Sequence, residues 1–273
     1  MVEQKLREAW QQPDHADLFD KRAHYNLPRL RRTYESCNEF RLFLQHKTGV
    51  KGREFVEVGC ATGELYRYLR RYHREFSYRG FDISAPAIER ARQKYPGGRF
   101  DTCRADLSDI IKAELNPAVV WARDVVHHQP DPFDYLGRLL AMGGELTILR
   151  LRTRDKGPTV RDPELSCQWH YNQWVPYIVM NLEETLETIG RILPGTRIIV
   201  VKHYVQLGGR HGRYLPKECY YPETGTAETA VLISRCPERG GRPEVIGRCR
   251  QEVVHSPSLF VRGLDYVRQR VFG

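Results

Sequence analysis

The stretch EFVEVGCATGELYRYL, residues 54–69, decides the fold. An apolar run ends near Glu57 and gives way to two glycines, Gly59 and Gly63, after which a helical pattern begins. In α/β proteins, a strand that ends in such a turn and leads into a helix allows the backbone to contact a ligand. The sequence therefore predicts a ligand site at this turn.

The residues after the glycines argue against a phosphate as that ligand. Neither G-x-G-x-x-G nor G-x(4)-G-K-[ST] is present, and Glu64 rather than a lysine follows Gly63. A helix N-terminus binds anions through its positive potential, and a carboxylate at that position would repel a phosphate. We therefore expect a ligand that is uncharged or cationic at this point.

Strand and helix patterns alternate over about the first half of the chain. Ser84 and Pro86 mark one helix start, as a cap and a first-turn proline. Alternation with short connections predicts a parallel sheet covered by helices on both faces. The predicted strands are 54–58, 77–83, 99–107, 118–126 and 144–152, and the predicted helices are 63–72, 85–95 and 132–141.

The alternation stops after Arg152. Residues 153–179 are rich in aromatic residues and prolines, and a helix then follows over 181–192 with Asn181 as its cap. Two β-branched runs, 196–207 and 226–236, are joined without a helix, which favours an antiparallel closing hairpin.

These patterns divide the chain into three parts. Residues 1–50 form an N-terminal helical segment, with its second helix from about Leu30 to Gln45. Residues 51–235 form the main domain, which includes the aromatic insert at 153–179. Residues 236–273 form a basic C-terminal extension that ends in an amphipathic helical pattern.

Composition places broad limits on the function. The 273 residues carry a formal charge of +9, which permits an acidic partner, but the arginines are dispersed and a solvated basic surface is the commoner meaning. The seven cysteines are odd in number and lack metal-type spacing, so we expect reduced thiols, a cytoplasmic protein and no metal. No stretch has the roughly 20 apolar residues of a membrane span. The oligomeric state is not predicted.

The segment FVEVGCATGE resembles the first motif of class I S-adenosylmethionine-dependent methyltransferases, E/D-x-G-x-G-x-G. Ala61 replaces the middle glycine. The resemblance implies that Glu57 orients the amino-acid part of the cofactor, and that the loop of Gly59, Cys60, Ala61 and Gly63 packs against it.

Three later positions carry the same resemblance. Asp82 and the following Ile83 stand where the family binds the ribose hydroxyls, a contact that a carboxylate makes well. Asp106, with Leu107, stands where family members bind the adenine amino group. The segment WARDVVHHQPD resembles the fourth motif, which adds Arg123 and Asp124 as cofactor contacts.

The resemblance covers residues 54–152 well and residues 181–235 by topology. It implies a Rossmann-like, seven-stranded, mostly parallel sheet with an antiparallel closing hairpin and helices on both faces. It also implies S-adenosylmethionine as the methyl donor and S-adenosylhomocysteine as the product.

Methyl transfer to a hydroxyl or an amine needs a base for the acceptor's proton. His127 and His128 follow the fourth strand and are the first candidates, while His170 in the insert is a further one. Packing or hydrogen bonding beside the cofactor is the alternative role for His128.

The aromatic insert lies where class I enzymes often build the substrate wall. It could form the acceptor pocket, or it could be a lid that only stabilises the domain. In the N-terminal segment, Tyr25 and Arg29 are candidates to close over the cofactor. The candidate substrate-binding residues are Trp169, Tyr171, Trp174 and Tyr177.

The sequence thus predicts a methyltransferase that acts on a hydroxyl, or an amine, of a small molecule such as a sugar, a sugar nucleotide or a natural-product intermediate. Two alternatives stay open. One is an RNA methyltransferase that docks through the basic C-terminal extension. The other is a non-catalytic interaction protein that binds the cofactor.

Overall fold

The computed structural model describes residues 9–11, 13–20, 25–162, 165–170, 173–205, 207, 213–214, 224–235 and 250–255. Eight α-helices lie in this part of the chain, with three short 3₁₀ turns at Ala9–Gln11, Lys47–Gly49 and Val126–His128. The helices are α1 (Pro13–Asp20), α2 (Leu27–Glu35), α3 (Asn38–His46), α4 (Glu64–Tyr72), α5 (Ala85–Lys94), α6 (Ser108–Lys112), α7 (Pro132–Ala141) and α8 (Leu182–Ile192).

Twelve strands are present in the same ranges, and they form two sheets. The larger sheet has the strand order β12-β9-β11-β5-β4-β1-β2-β3, with β8 paired to β5, and the smaller sheet has the order β10-β6-β7. The strands are β1 (Glu54–Val58), β2 (Ser77–Asp82), β3 (Arg99–Thr102), β4 (Val119–Arg123), β5 (Leu146–Arg154), β6 (Cys167–His170), β7 (Gln173–Pro176), β8 (Met180–Asn181), β9 (Arg197–Tyr204), β10 (Arg213–Tyr214), β11 (Ala227–Ser234) and β12 (Arg250–His255).

The larger sheet confirms the predicted fold class. Strands β1 to β5 are parallel, and β11 lies antiparallel between β5 and β9 as the closing element. The sheet contains two strands beyond the seven predicted ones. β8 pairs with β5 and β12 pairs with β9, both in parallel. The strand order reverses between β1 and β4, and open α/β sheets bind their ligands at such a switch point.

Helices cover both faces of this sheet. On one face, α7 and α8 bury Leu136, Leu139 and Ile189 against the strands. On the other face, α2 to α5 contribute an aromatic-rich core that includes Phe40 and Tyr68. A doubly covered parallel sheet explains why β1 and β4 read as continuous apolar runs rather than as alternating ones.

Local signals set the helix starts largely as the sequence predicts. The Ser84 side chain accepts a hydrogen bond from the Ala87 amide at 3.3 Å, and the Asn181 side chain accepts one from the Glu184 amide at 3.0 Å. The single helix predicted over Leu30–Gln45 is instead two helices, α2 and α3. They separate because Cys37 is extended, with φ −81° and ψ 140°, and is the N-cap residue directly before α3.

Two predicted strands are shorter than expected, and polar turn chemistry is the reason. β3 ends at Thr102 rather than at residue 107, because Asp106 and Asp109 accept backbone hydrogen bonds that turn the chain into α6. β4 ends at Arg123, since Asp124 adopts a left-handed φ of +58°.

The insert contributes the smaller sheet. β6 and β7 form a hairpin, and β10 pairs with β6 from a distant part of the chain. The predicted amphipathic helix in the C-terminal extension lies outside the described residues, and the predicted division into three parts stays a prediction.

Candidate active site

The turn after β1 is held against the end of β2. The amides of Gly59 and Cys60 both donate to the Phe81 carbonyl, at 2.7 and 3.1 Å. Gly59 has a φ of +81°, and a Cβ there would lie 2.4 Å from Cγ2 of Val125. Only glycine fits this conformation and this close approach.

The next turn residue brings the backbone to the carboxylate that ends β2. Ala61 has a φ of +46°, and its amide donates to Oδ2 of Asp82 at 2.8 Å. The Ser84 amide donates to Oδ1 of the same carboxylate at 2.9 Å. Asp82 is therefore fixed in place, and it lines the cleft above the turn.

Gly63 has a structural part in the turn. It is the residue before α4, with a φ of +85°, and a Cβ there would lie 2.8 Å from the Phe100 ring. It does not line the cleft, so it shapes the turn from outside.

A cleft with a volume of about 240 Å³ opens at the carboxyl ends of β1, β2 and β4. Of the predicted cofactor contacts, Gly63, Asp106, Leu107 and Tyr25 are absent from its lining. The residues that line it are Trp10, Phe19, Tyr34, Glu57, Val58, Gly59, Cys60, Ala61, Glu64, Leu65, Asp82, Ile83, Cys103, Ala105, Arg123, Asp124, Val125, His128, Gln129, Tyr135 and Gln168.

Three buried acidic side chains meet in this cleft: Glu57, Glu64 and Asp82. Burial raises the pKa of Glu57 to about 8; the hydrogen bond from the Tyr78 hydroxyl opposes the rise, and the neighbouring carboxylates add to it. The Glu64 carboxylate accepts hydrogen bonds from Thr62 at 2.9 Å and from Lys94 at 2.6 Å. The carboxylates of Glu64 and Asp82 attract a cation and repel a phosphate.

The Asp106 carboxylate accepts hydrogen bonds from a residue only two positions further along the chain. Its carboxylate accepts from the Ser108 amide at 3.1 Å and from the Ser108 hydroxyl at 2.8 Å, and these hydrogen bonds lower its pKa to about 2. The cleft lining nearby is formed by Cys103 and Ala105. The adenine contact predicted for Asp106 stays a prediction.

Arg123 and Asp124, at the end of β4, both line the cleft and belong to a buried ionic network. Arg123 pairs with Glu39 at 3.0 Å, while Arg152 approaches the Asp124 carboxylate at 3.2 Å and Arg150 forms a further ion pair with it. Burial would raise the pKa of Asp124, but the two arginines hold it well below its ordinary value. Asp124 is therefore a permanent anion.

The two histidines after β4 differ in environment. His127 is 1% exposed and lies outside the cleft lining, and burial together with His128 and Arg152 lowers its pKa well below the ordinary value. His128 lines the cleft, and its Nδ1 lies 2.8 Å from the Pro176 carbonyl. Since a carbonyl only accepts, Nδ1 carries the proton and Nε2 is the basic nitrogen of neutral His128.

The insert reaches the cleft through a residue that the sequence did not single out. Gln168, on β6, is buried and lines the cleft, whereas Tyr177 is buried away from the lining and Trp174 is 47% exposed. Trp169 and His170 lie in β6, but their side chains are outside the described part of the structure, as is Tyr171 entirely. Gln168 has no periodic or motif signal that could have identified it.

The N-terminal segment covers the cleft with residues other than those predicted. The Trp10 ring packs against the His128 ring at a tilt of 53°, with centroids 4.7 Å apart, and Phe19 and Tyr34 also line the cleft. Tyr25 instead packs under the Arg29 guanidinium, 3.9 Å from its ring centroid. Isolated aromatics in a helical segment carry no sequence signal that separates a cleft residue from a core residue.

Among the described residues, no group of three or more His, Cys, Asp or Glu side chains could hold a metal ion. Within the same part of the chain, no helix is both long and apolar enough to cross a membrane.

Residues 56–146 match a family model described as a methyltransferase domain. The match spans β1 to the start of β5, and thus the strands whose ends form the cleft. Together with the sheet order, it confirms the resemblance to class I S-adenosylmethionine-dependent methyltransferases for this region.

One curated relative and two solved structures illustrate the similarity. A fatty-acid O-methyltransferase from Mycolicibacterium smegmatis is 27% identical over 128 residues, which cover 44% of this chain and 46% of the relative. The CurJ carbon methyltransferase is 16% identical, with a TM-score of 0.43, and the match covers 73% of this chain and 53% of the other. The magnesium protoporphyrin IX methyltransferase from Synechocystis PCC 6803, solved with bound S-adenosylmethionine, is 13% identical, with a TM-score of 0.49 and coverage of 85% and 96%. The chain therefore spans about half the length of the curated relative it matches.

Proposed function

We propose that this chain is an S-adenosylmethionine-dependent methyltransferase that methylates a hydroxyl, or an amine, of a small molecule. One observation carries the proposal: Asp82, the Gly59–Ala61 turn and His128 line one cleft at the switch point of the sheet. The first two are cofactor contacts in the family, and the third is a base beside them. The matched methyltransferase domain supports the same reading.

The residues present fit the cofactor. Asp82 is fixed by two backbone amides and still has lone pairs for two ribose hydroxyls, since a carboxylate offers about four acceptor positions. Glu64 and Asp82 supply negative potential for a ligand that carries an ammonium and a sulfonium, whereas Glu57 is protonated at neutral pH in the cofactor-free protein. Within the turn, the left-handed φ values of Gly59 and Ala61 keep the backbone close to the cleft.

When bound, the cofactor supplies a methyl group on a sulfonium, which is already a good leaving group. The chain's own task is then to align the acceptor and to remove its proton. His128 is the proposed base, through Nε2, and Trp10 covers its ring. Gln168 and Gln129, which line the cleft beside these residues, are the proposed acceptor contacts.

The proposal also includes the domain bounds and the class of acceptor that the sequence predicted. The methyltransferase domain is residues 51–235, between an N-terminal helical segment and a basic extension. The acceptor is a sugar, a sugar nucleotide or a natural-product intermediate. The curated relative, a fatty-acid O-methyltransferase, supports the proposal of a small-molecule acceptor.

Calorimetry with S-adenosylhomocysteine tests the cofactor assignment. Asp82→Ala removes a charge-assisted acceptor, and we expect binding to weaken by at least ~1.5 kcal/mol, or more than about tenfold. The matched control is Asp101→Ala, on β3, because Asp101 is partly exposed, pairs with Arg79 and lies outside the cleft. Equal affinities for wild type and Asp82→Ala would reject the ribose contact.

The acceptor is tested with labelled methyl donor and fractionated cell extract, followed by mass spectrometry of the labelled product. A labelled small metabolite supports the proposal, and labelled RNA supports the first alternative. Cofactor binding without any labelled product supports the second. His128→Ala should lower turnover far more than cofactor affinity, and unchanged turnover would remove His128 as the base.

A further inference from the structure

His128 is held by the insert through a backbone carbonyl, and the structure indicates what holds that carbonyl. The Pro176 carbonyl and the Tyr177 N–H belong to one planar peptide unit, so they point in opposite directions. The N–H donates to the Ser166 carbonyl at 2.8 Å. The Pro176 carbonyl is thereby directed to Nδ1 of His128, also at 2.8 Å.

The Tyr177 side chain reinforces this arrangement from the other side. Its hydroxyl accepts a hydrogen bond from Nε of Arg152 at 2.9 Å, and both side chains are buried. The ring packs against both histidines, with centroids 5.2 Å from His127 and 5.7 Å from His128.

Arg152 is itself immobilised by charge. Its guanidinium lies 3.0 Å from Glu228 on β11 and 3.2 Å from Asp124 at the end of β4. An arginine fixed by two carboxylates on neighbouring strands provides a rigid donor for the Tyr177 hydroxyl.

We propose that Tyr177 and Arg152 are positioning residues for His128: they hold the Pro176 carbonyl against Nδ1 and so keep Nε2 as the basic nitrogen of a residue that lines the cleft. This inference rests on the proposed function, in which His128 is the base. In this proposal Tyr177 does not contact the acceptor, although the sequence predicted that it would; it acts on the acceptor only through His128.

The proposal makes a spectroscopic prediction that needs no acceptor. A free histidine side chain favours the Nε2–H tautomer, whereas a carbonyl fixed at Nδ1 selects the other one. Long-range ¹H–¹⁵N correlation spectra of the full chain, labelled in its histidines, distinguish the two. The His128 signals are identified by their loss in His128→Gln.

We expect wild type to show the Nδ1–H tautomer of His128 alone. In Tyr177→Phe, which removes only the hydroxyl, about a tenth or more of His128 should convert to the Nε2–H tautomer, and the Nδ1 proton should exchange at least about tenfold faster. Arg152→Lys, which keeps the charge but loses the Nε donor, should act in the same direction.

Tyr68→Phe is the matched control. Tyr68 is another buried tyrosine whose hydroxyl bonds a charged residue, Glu35 at 2.7 Å, and it lies 3.3 Å from Nε2 of His73. This variant should change the His73 signals and leave those of His128 unchanged, while Tyr177→Phe should do the reverse. A His128 tautomer pattern and exchange rate identical to wild type in Tyr177→Phe would overturn the proposal.

Calorimetry with S-adenosylhomocysteine on the same samples separates this inference from the proposed function. If wild type fails to bind it, the proposed function fails, whatever the tautomer spectra show. If wild type binds it and Tyr177→Phe leaves His128 unaltered, only the positioning role is rejected.

Discussion

Replacing Glu57 by glutamine tests the electrostatics of the cleft without any acceptor. Glu57 lies in the buried part of β1, accepts a hydrogen bond from Tyr78 and faces the carboxylates of Asp82 and Glu64. Burial first, and then these two carboxylates, raise its pKa from the ordinary 4.5 to about 8. The cofactor-free protein therefore holds a proton here at neutral pH.

The sign of the stability effect follows from this pKa. Between about pH 4.5 and pH 8, folded Glu57 keeps a proton that the unfolded chain has released. Its contribution to stability is complete below the unfolded pKa and is lost as the pH rises through the folded pKa. The loss is about 1.4 kcal/mol per pH unit, or about 2.7 kcal/mol between about pH 5.5 and pH 7.5.

Urea unfolding of wild type and Glu57→Gln at these two pH values measures the effect. Glutamine keeps the shape of the neutral acid and cannot lose a proton. The stability of the variant relative to wild type should therefore increase by roughly 2–3 kcal/mol from the lower pH to the higher. Glu54→Gln, on the same strand but partly exposed, is the control. A relative stability of Glu57→Gln that does not change with pH would refute the raised pKa.

Three further stability predictions use the same urea measurements. Gly59→Ala should destabilise by at least ~2 kcal/mol, because the φ is +81° and the new Cβ would lie 2.4 Å from Val125; a smaller loss would mean that the turn can shift. Ala61→Gly should have the opposite sign, a gain of about 0.5 kcal/mol, because alanine is strained at a φ of +46°; a net loss would contradict this. Asn181→Ala should cost about 1 kcal/mol through loss of the cap on Glu184, and an unchanged midpoint would show that another group replaces it.

The features that the sequence predicted correctly depend on residues close together in the chain. Ser84 and Asn181 each cap a helix through an amide three residues on, so the residue type and its position suffice. The requirement for glycine at position 59 is only partly local. The need for a left-handed φ is local, although the second reason, the proximity of Val125, depends on the fold.

The features that were missed depend on turn chemistry or on distant pairing. Asp106 was assigned to the end of a strand, yet its carboxylate bonds Ser108 two residues on, and this competes with strand formation. β12 pairs with β9 across about 50 residues of chain, and its register has no local signature. The separation of α2 from α3 likewise depends on the extended backbone of Cys37, and no proline or glycine at that position indicates a helix end in the sequence.

The ionic network illustrates the same limit at the site. Arg150 and Arg152 stand two residues apart on β5, so their side chains share one face of the sheet. This two-residue spacing is visible in the sequence. Their partners become apparent only with the strand order, because Glu228 lies opposite Arg152 on β11 and Asp124 follows the neighbouring β4. Without that order, two arginines in a strand suggest an exposed edge rather than a buried network.

On the proposed function, this network also decides which group after β4 accepts the proton. Asp124 lines the cleft, but two arginines keep its pKa well below the ordinary value, and so weakly basic a carboxylate is a poor proton acceptor. His127 is buried outside the lining, which leaves His128. Arg152 contacts both the Asp124 carboxylate and the Tyr177 hydroxyl. The same arginine therefore keeps Asp124 ionised and weakly basic, and supports the backbone contact that orients His128. Which group acts as the base thus depends on the pairing of β4, β5 and β11, which brings Asp124, Arg152 and Glu228 together.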